Sequence, residues 1–202
     1  IDLLVSQGME QEEALYKVLK EMIIASKNIR FEGDGYSEEW KEEALKRGLT
    51  NISHVPEAIM RFNDKQSREV LIGENIFNEN ELICRIEVEL EKFTKKVQIE
   101  SRVLGDLAIN HIVPTAVIYQ NRLLENLRGL RETFSQVEYE MLGADRRELV
   151  KEIQFRILEI KQLVREMTEA RRISNRLTSQ VEKAYSYEEK VRPYMEQIRE
   201  HI

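Results

Sequence analysis

Apolar residues recur along most of this chain at steps of three and four, the spacing that gathers them on one face of an α-helix. From about Glu10 to Asn28 the stripe is Ala14, Leu15, Val18, Leu19, Met22 and Ile23, which predicts a first amphipathic helix. Phe31 to Tyr36, with two glycines, breaks the pattern. Ser37 then offers its hydroxyl to the free amides of a short helix through Trp40 to Lys46, which Gly48 ends. After Ser53, Pro56 suits the first turn of a third helix carrying Ala58, Ile59 and Phe62, because the first N–H groups of a helix have no intrahelical partner to lose. A fourth short helical turn covers Asp64 to Leu71.

Stronger start signals follow. Asn78 and Glu81 can satisfy each other's backbone amides as a capping box, with Phe77 packed on Leu82 as a hydrophobic staple. Only Gly105 and Pro114 interrupt the helical pattern from there to Thr133, a span of roughly 80 Å at about 1.5 Å per residue. Its apolar positions include Leu82, Ile86, Leu90, Phe93, Val97, Leu104, Leu107, Ala108, Val117, Leu124 and Leu127. Pro114 has no N–H to give the carbonyl of Asn110 and its ring crowds that carbonyl, so a kink is expected there. A second capping box at Asp145 and Glu148, after Gly143, predicts another long helix. Its seam of Leu149, Ile153, Ile157, Ile160, Val164, Met167, Ala170, Ile173, Leu177, Val181 and Ala184 is close to a heptad repeat and needs a partner. The short Thr133 to Ala144 connection makes the preceding helix that partner, antiparallel to it. Ser186 and Glu189 offer a further capping pair and Pro193 a break or kink, while Val191, Tyr194, Ile198 and Ile202 keep an apolar face. The expected fold is all-α: short helices over residues 1–77, then a long antiparallel helical hairpin with a C-terminal helix over residues 78–202.

Composition narrows the function classes. Three prolines, eight glycines and a charged fraction of 34% suit long helices better than a turn-rich strand fold. The net charge of -6 argues against a nucleic-acid partner, which needs a basic face to displace counterions from phosphates. No apolar run approaches the roughly 18 residues of a membrane span, and Ile1 opens no signal peptide. Cys84 is the only cysteine, which rules out an intrachain disulfide and a thiolate cluster and fits a reducing cytoplasm. A chain that lacks an initiator Met and stops inside a helical pattern is expected to be part of a longer protein.

Candidate chemistry is sparse. None of His54, His111 and His201 belongs to a Glu-x-x-His pair, and there is no HExxH motif. His111, beside Asn110 and Pro114, is read first as a hydrogen-bonded packing residue; a small helical enzyme built on His111, Asn110 and Asp106 is the alternative. Glu87, Glu89 and Glu91 alternate with apolar residues and are expected to face water. Glu32, Gly33, Asp34 and Gly35 lack the Lys-Ser/Thr of a phosphate loop and the acidic register of an EF-hand, so a turn is expected. Arg146, Arg147, Arg171, Arg172 and Arg176 stand among acids, which predicts a salt-bridged helix face. No catalytic, cofactor-binding or metal-ligating residue is assigned, and a free-standing coiled-coil-like interaction module fits the same residues.

Four strings add a resemblance. GDGYSEEW at Gly33 to Trp40, RGLTN at Arg47 to Asn51, ESRVLGDLAINHIVPTA at Glu100 to Ala116 and VRPYMEQIREHI at Val191 to Ile202 closely resemble, in order, the C-terminal region of type III glutamine synthetases. The first ~30 residues match weakly, as a variable helix. The resemblance implies a parent enzyme that condenses glutamate with ammonia, spends ATP through a γ-glutamyl phosphate, and holds divalent Mg or Mn with carboxylates. It also implies a large homo-oligomer of stacked hexameric rings. The family's ligands and nucleotide-contacting residues lie upstream of the matched strings, so the resemblance carries no catalytic residue onto this chain. It makes the chain a structural C-terminal part, inactive alone and contributing to subunit packing.

Overall fold

A computed structural model describes residues 1–202; it is helical throughout and contains no strand. Two compact units form, Ile1–Ser53 and His54–Ile202.

The first unit holds α1 (Asp2–Ser6), α2 (Gln11–Ala25), a 3₁₀ turn at Ser26–Ile29, and α3 (Glu38–Lys46). α3 starts as its sequence requires: the Ser37 hydroxyl accepts from the Trp40 amide at 3.2 Å. It ends with Gly48 at φ +73°, which lets the Leu49 amide turn back to the Ala44 carbonyl at 2.9 Å. Phe31 lies against Trp40 with ring centroids 4.5 Å apart, and the Arg47 guanidinium sits over the Phe31 ring. The α2 stripe forms as a helix but does not become a core. Ala14 is buried, Val18 half-buried, and Leu15, Leu19, Met22 and Ile23 are exposed.

The second unit begins with α4 (Val55–Met60), a 3₁₀ turn at Arg61–Asn63 and α5 (Lys65–Gly73). Pro56 occupies the first turn of α4, as expected, and is buried. Then comes one helical rod of 55 residues: α6 (Glu79–Leu107), a π turn at Ala108–Ile112, and α7 (Val113–Thr133). The capping box that opens it is complete. Asn78 Oδ1 accepts from the Glu81 amide and Glu81 Oε2 from the Asn78 amide, both at 2.9 Å. The irregularity expected at Pro114 takes the form of the π turn just before it. The Val113 amide reaches back to the Ala108 carbonyl, one residue further than in an α-helix, and Thr115 Oγ1 bonds the His111 carbonyl at 2.7 Å. Widening the ladder by one residue lets the helix pass the missing proline N–H without ending.

The return differs from expectation at both ends of the second long helix. A capping box exists, but at Ser135 and Glu138, where it opens the short α8 (Gln136–Leu142) inside the connection. α9 (Ala144–Asn175) follows directly from Gly143, which is itself in a helical conformation. Asp145 therefore lies within the first turn and caps nothing, because an N-cap side chain works only from an extended backbone. α9 stops at Asn175, so Leu177, Val181 and Ala184 do not continue its seam. Ser179, not Ser186, caps α10 (Gln180–Lys190), accepting from the Glu182 amide at 3.3 Å. Ser186 is buried in α10 and bonds Ser174 at 2.8 Å. α11 (Arg192–His201) starts with Pro193 in its first turn, which is the break foreseen there.

α9 runs antiparallel to the rod, with Gln120 bonding the Val150 carbonyl at 3.1 Å near one end and Gln98 opposite Asn175 near the other. The paired long helices are thus present, and α10 and α11 complete a bundle around them. The main core joins Val97, Ala108 and Val113 of the rod to Ile157, Ile160, Leu163 and Met167 of α9 and to Tyr187, Val191, Met195 and Ile198. A second core joins Leu82, Ile86 and Leu90 to Ala184, with Ile59, Leu71 and Phe77 packed on it.

Gly105, one of the two interruptions in the helical pattern, is a packing position. A β-carbon there would meet Val164 Cγ1 at 3.4 Å and Met167 Cε at 3.5 Å, which is ordinary contact distance. Gly105→Ala is therefore expected to stabilise the chain by about 0.5–1 kcal/mol, the helix-propensity gain with no clash. Gly105→Leu is expected to destabilise it by about 1–3 kcal/mol through overpacking. Urea unfolding of both variants checks the pair; a destabilised Ala variant would show a closer approach of the helices than these distances allow.

Candidate functional site

The sequence candidates are scattered over the bundle. His111 stands exposed on the π turn and its ring makes no hydrogen bond, so the packing role expected of it is not present. Asp106 Oδ1 accepts from Asn110 Nδ2 at 2.7 Å, so these two are bonded to each other and neither to His111. His201 lies edge-on to Phe155, ring centroids 6.2 Å apart. Cys84 is exposed. Glu89 pairs with Lys92 at 2.7 Å and Glu91 with Lys95 at 2.6 Å, one turn apart on the rod's surface. Glu32 to Gly35 form a turn in which Asp34 Oδ1 accepts from the Tyr36 amide at 2.9 Å and the Asp34 carbonyl from the Ser37 hydroxyl. No three His, Cys, Asp or Glu side chains converge anywhere.

The basic residues on and just after α9 do not form the expected salt-bridged face. Of the five, only Arg172 pairs with an acid, Glu169 at 3.0 Å. Arg146 and Arg147 turn back to carbonyls at the end of α8: Arg146 to Leu142 at 3.1 Å and Arg147 to Glu140 at 2.9 Å, with Arg147 also over the Tyr139 ring. The reason is local. The last carbonyls of a helix have no partner within it, and a guanidinium one turn on supplies donors. Arg171 and Arg176 have no ion-pair partner.

One buried polar cluster was missed by sequence reasoning. Glu188 is 7% exposed, and its Oε1 accepts from Arg192 Nη1 at 2.8 Å and lies 3.3 Å from His54 Nδ1. Its Oε2 is buried with no partner. The cluster ties the residue before α4 to α10 and α11. Its only trace in the sequence is an acid four residues after Ala184, on the buried side of α10, and four before an arginine. Beside it lies a shallow groove with a floor of Val55, Ile59, Phe93 and Met195. Along the outside of the bundle the long helices expose large apolar side chains: Ile99, Val103, Leu107, Ile118 and Tyr119 on the rod and Phe155 and Leu158 on α9, the last two each 57% exposed.

Over its whole length the chain is 66% identical to a glutamine synthetase of Bacteroides fragilis, of which it spans 28%. It is 32% identical over 120 residues to a glutamine synthetase of Butyrivibrio fibrisolvens, covering 59% of the chain and 17% of that protein. Over 136 residues it is 30% identical to a type-3 glutamine synthetase of Dictyostelium discoideum, covering 64% of the chain and 18% of that protein. The chain thus spans less than a third of the length of these relatives. The profile of the glutamine synthetase C-terminal domain matches residues 14–131, from within α2 almost to the end of α7. With more than half of its residues inside that profile and the type III motifs in order along it, the chain belongs to the glutamine synthetase C-terminal domain family.

Proposed function

We propose that this chain is the helical C-terminal part of a type III glutamine synthetase and that its work there is structural, packing against the rest of the parent and against neighbouring subunits. The observation that carries this reading is the apolar surface of the long helices. Isolated monomeric domains rarely leave contiguous rows of large apolar side chains in water, and such rows mark faces that another surface covers. The parent would condense glutamate with ammonia at the expense of ATP and a divalent metal in the cytoplasm. The donor groups present here do not fit that metal, since no three of them converge and the one buried carboxylate, Glu188, is already held by Arg192. The reacting groups then belong to the remainder of the parent, and the chain alone would be inactive.

The test uses the full-length parent carrying Ile118→Glu or Phe155→Glu, each at an exposed position of a long helix. Sedimentation is expected to show smaller species than the natural assembly, with helical content unchanged. Unchanged sedimentation in both variants would sink the packing role. Separately, metal- and ATP-dependent γ-glutamyl transfer by the 202-residue chain would sink the assignment of chemistry to the remainder.

A further inference from the structure

Two arginines of the hairpin face each other without a counter-charge. Gln98 Nε2 of α6 approaches Asn175 Oδ1 of α9 at 3.5 Å. Arg102 is one turn further along α6 and Arg171 one turn back along α9, so the antiparallel register sets them opposite one another. Neither makes an ion pair or a side-chain hydrogen bond. The sequence explains the lack. Three and four residues to either side of Arg171 stand Met167, Thr168, Ser174 and Asn175, none of them acidic. The one acid so placed around Arg102 is Asp106, whose Oδ1 is taken by Asn110.

Arg102 is exposed and can turn into water, which is the usual fate of a surface arginine. Arg171 is half-buried. Burial, and then the charge of Arg102, hold its ionisation below the usual arginine range. The group beside it is also arranged to donate. Tyr187, fully buried, gives its hydroxyl hydrogen to Asn175 Oδ1 at 2.8 Å, and Gln98 approaches the same oxygen, so the Asn175 amide nitrogen keeps both hydrogens uncommitted.

We propose that Arg102, Arg171 and the Asn175 amide form a binding site for a free oxyanion of the phosphate class. Two guanidiniums call for about two negative charges, and a phosphate group carries roughly 1.5 to 2 near neutral pH where a carboxylate carries one. The guanidinium fork also matches phosphate oxygens two at a time. An anion seated there would relieve the repulsion between the arginines and give the half-buried one the counter-charge the fold withholds.

The experiment follows heat unfolding of the whole 202-residue chain in inorganic phosphate, and in acetate, each against chloride of equal ionic strength. Phosphate raises the Tm of most proteins by exclusion from their surfaces, so the readout is the saturable part of the rise. The natural chain is expected to show a saturable rise with phosphate and a smaller one with acetate. Arg102→Gln and Arg171→Gln should each weaken half-saturation at least about tenfold, the effect of losing a charge-assisted hydrogen bond. Asn175→Asp places a carboxylate one turn from Arg171 and can still accept from Tyr187. It is expected to raise Tm in chloride and to abolish the saturable phosphate response. Equal half-saturation in the natural chain and the Arg171→Gln variant, an acetate response as large as that to phosphate, or a full phosphate response in Asn175→Asp would each overturn the site.

Discussion

Replacing Ile160 with Asp is expected to lower the unfolding midpoint of the chain by roughly 10 °C or more, from a loss of several kcal/mol at about 2–4 °C per kcal/mol for a chain of this size. Ile160 is 3% exposed and sits in the core that joins α9 to the rod, α10 and α11. The variant forfeits about 1.5–3 kcal/mol of apolar burial. It also places a carboxylate among Ile157, Leu163, Met167 and Ile198, where nothing in the core can pair with it. Ile173→Asp is the control. Both residues belong to the same apolar periodicity, yet Ile173 is 49% exposed and its replacement should stay within about 0.5 kcal/mol. Thermal unfolding followed by circular dichroism compares the two. Equal midpoints would mean that α9 is rotated about its axis from the orientation described.

That contrast shows what periodicity reports and where it stops. A stripe at steps of three and four fixes which residues share a face, but not which part of that face meets a neighbour. Ile157, Ile160 and Met167 are buried because they point between α11 and the rod, whereas Ile173 is turned off that line: the next residue, Ser174, takes the inward position and is fully buried. The α2 stripe is the extreme case: the helix forms from local pattern, and its own unit supplies nothing to cover it. Capping signals behaved likewise. Asn78 and Glu81 close a box because Asn78 itself has an extended backbone, at ψ 168°. Asp145 and Glu148 have the same spacing but follow a residue already in helical geometry, so the box cannot form. A capping pair read from spacing alone competes with every other pair nearby, and Ser135 with Glu138 won within ten residues of it.

Side-chain clusters between distant segments were the least legible. His54 and Glu188 are brought together only by the docking of α4 beside α10, and Arg102 and Arg171 only by the register of the hairpin. The sequence read the α9 arginines as one face with a common fate. In the bundle they divide according to what is near: helix-end carbonyls for Arg146 and Arg147, an acid for Arg172, another arginine for Arg171. The family resemblance was legible because it rests on short strings that follow one another in order, which need no tertiary context.

The Glu188 cluster yields the second large effect, and its size depends on which partner is removed. Arg192→Ala is expected to destabilise the chain by about 2–3 kcal/mol, because it strands a buried carboxylate that already has one oxygen without a partner. The value lies below that of a fully buried pair because the Arg192 side chain is 43% exposed and part of its interaction is shared with water. Glu188→Gln should cost under about 1 kcal/mol, since it keeps the shape, removes the buried charge and leaves Arg192 free to turn into solvent. The double variant is the decisive measurement. Once Glu188 is neutral, loss of Arg192 strands nothing, so Arg192→Ala with Glu188→Gln should be more stable than Arg192→Ala alone. Additive losses in urea unfolding would show that the two side chains act separately and that the joint between α10 and α11 is held by Val191, Met195 and Ile198 without help from the ion pair.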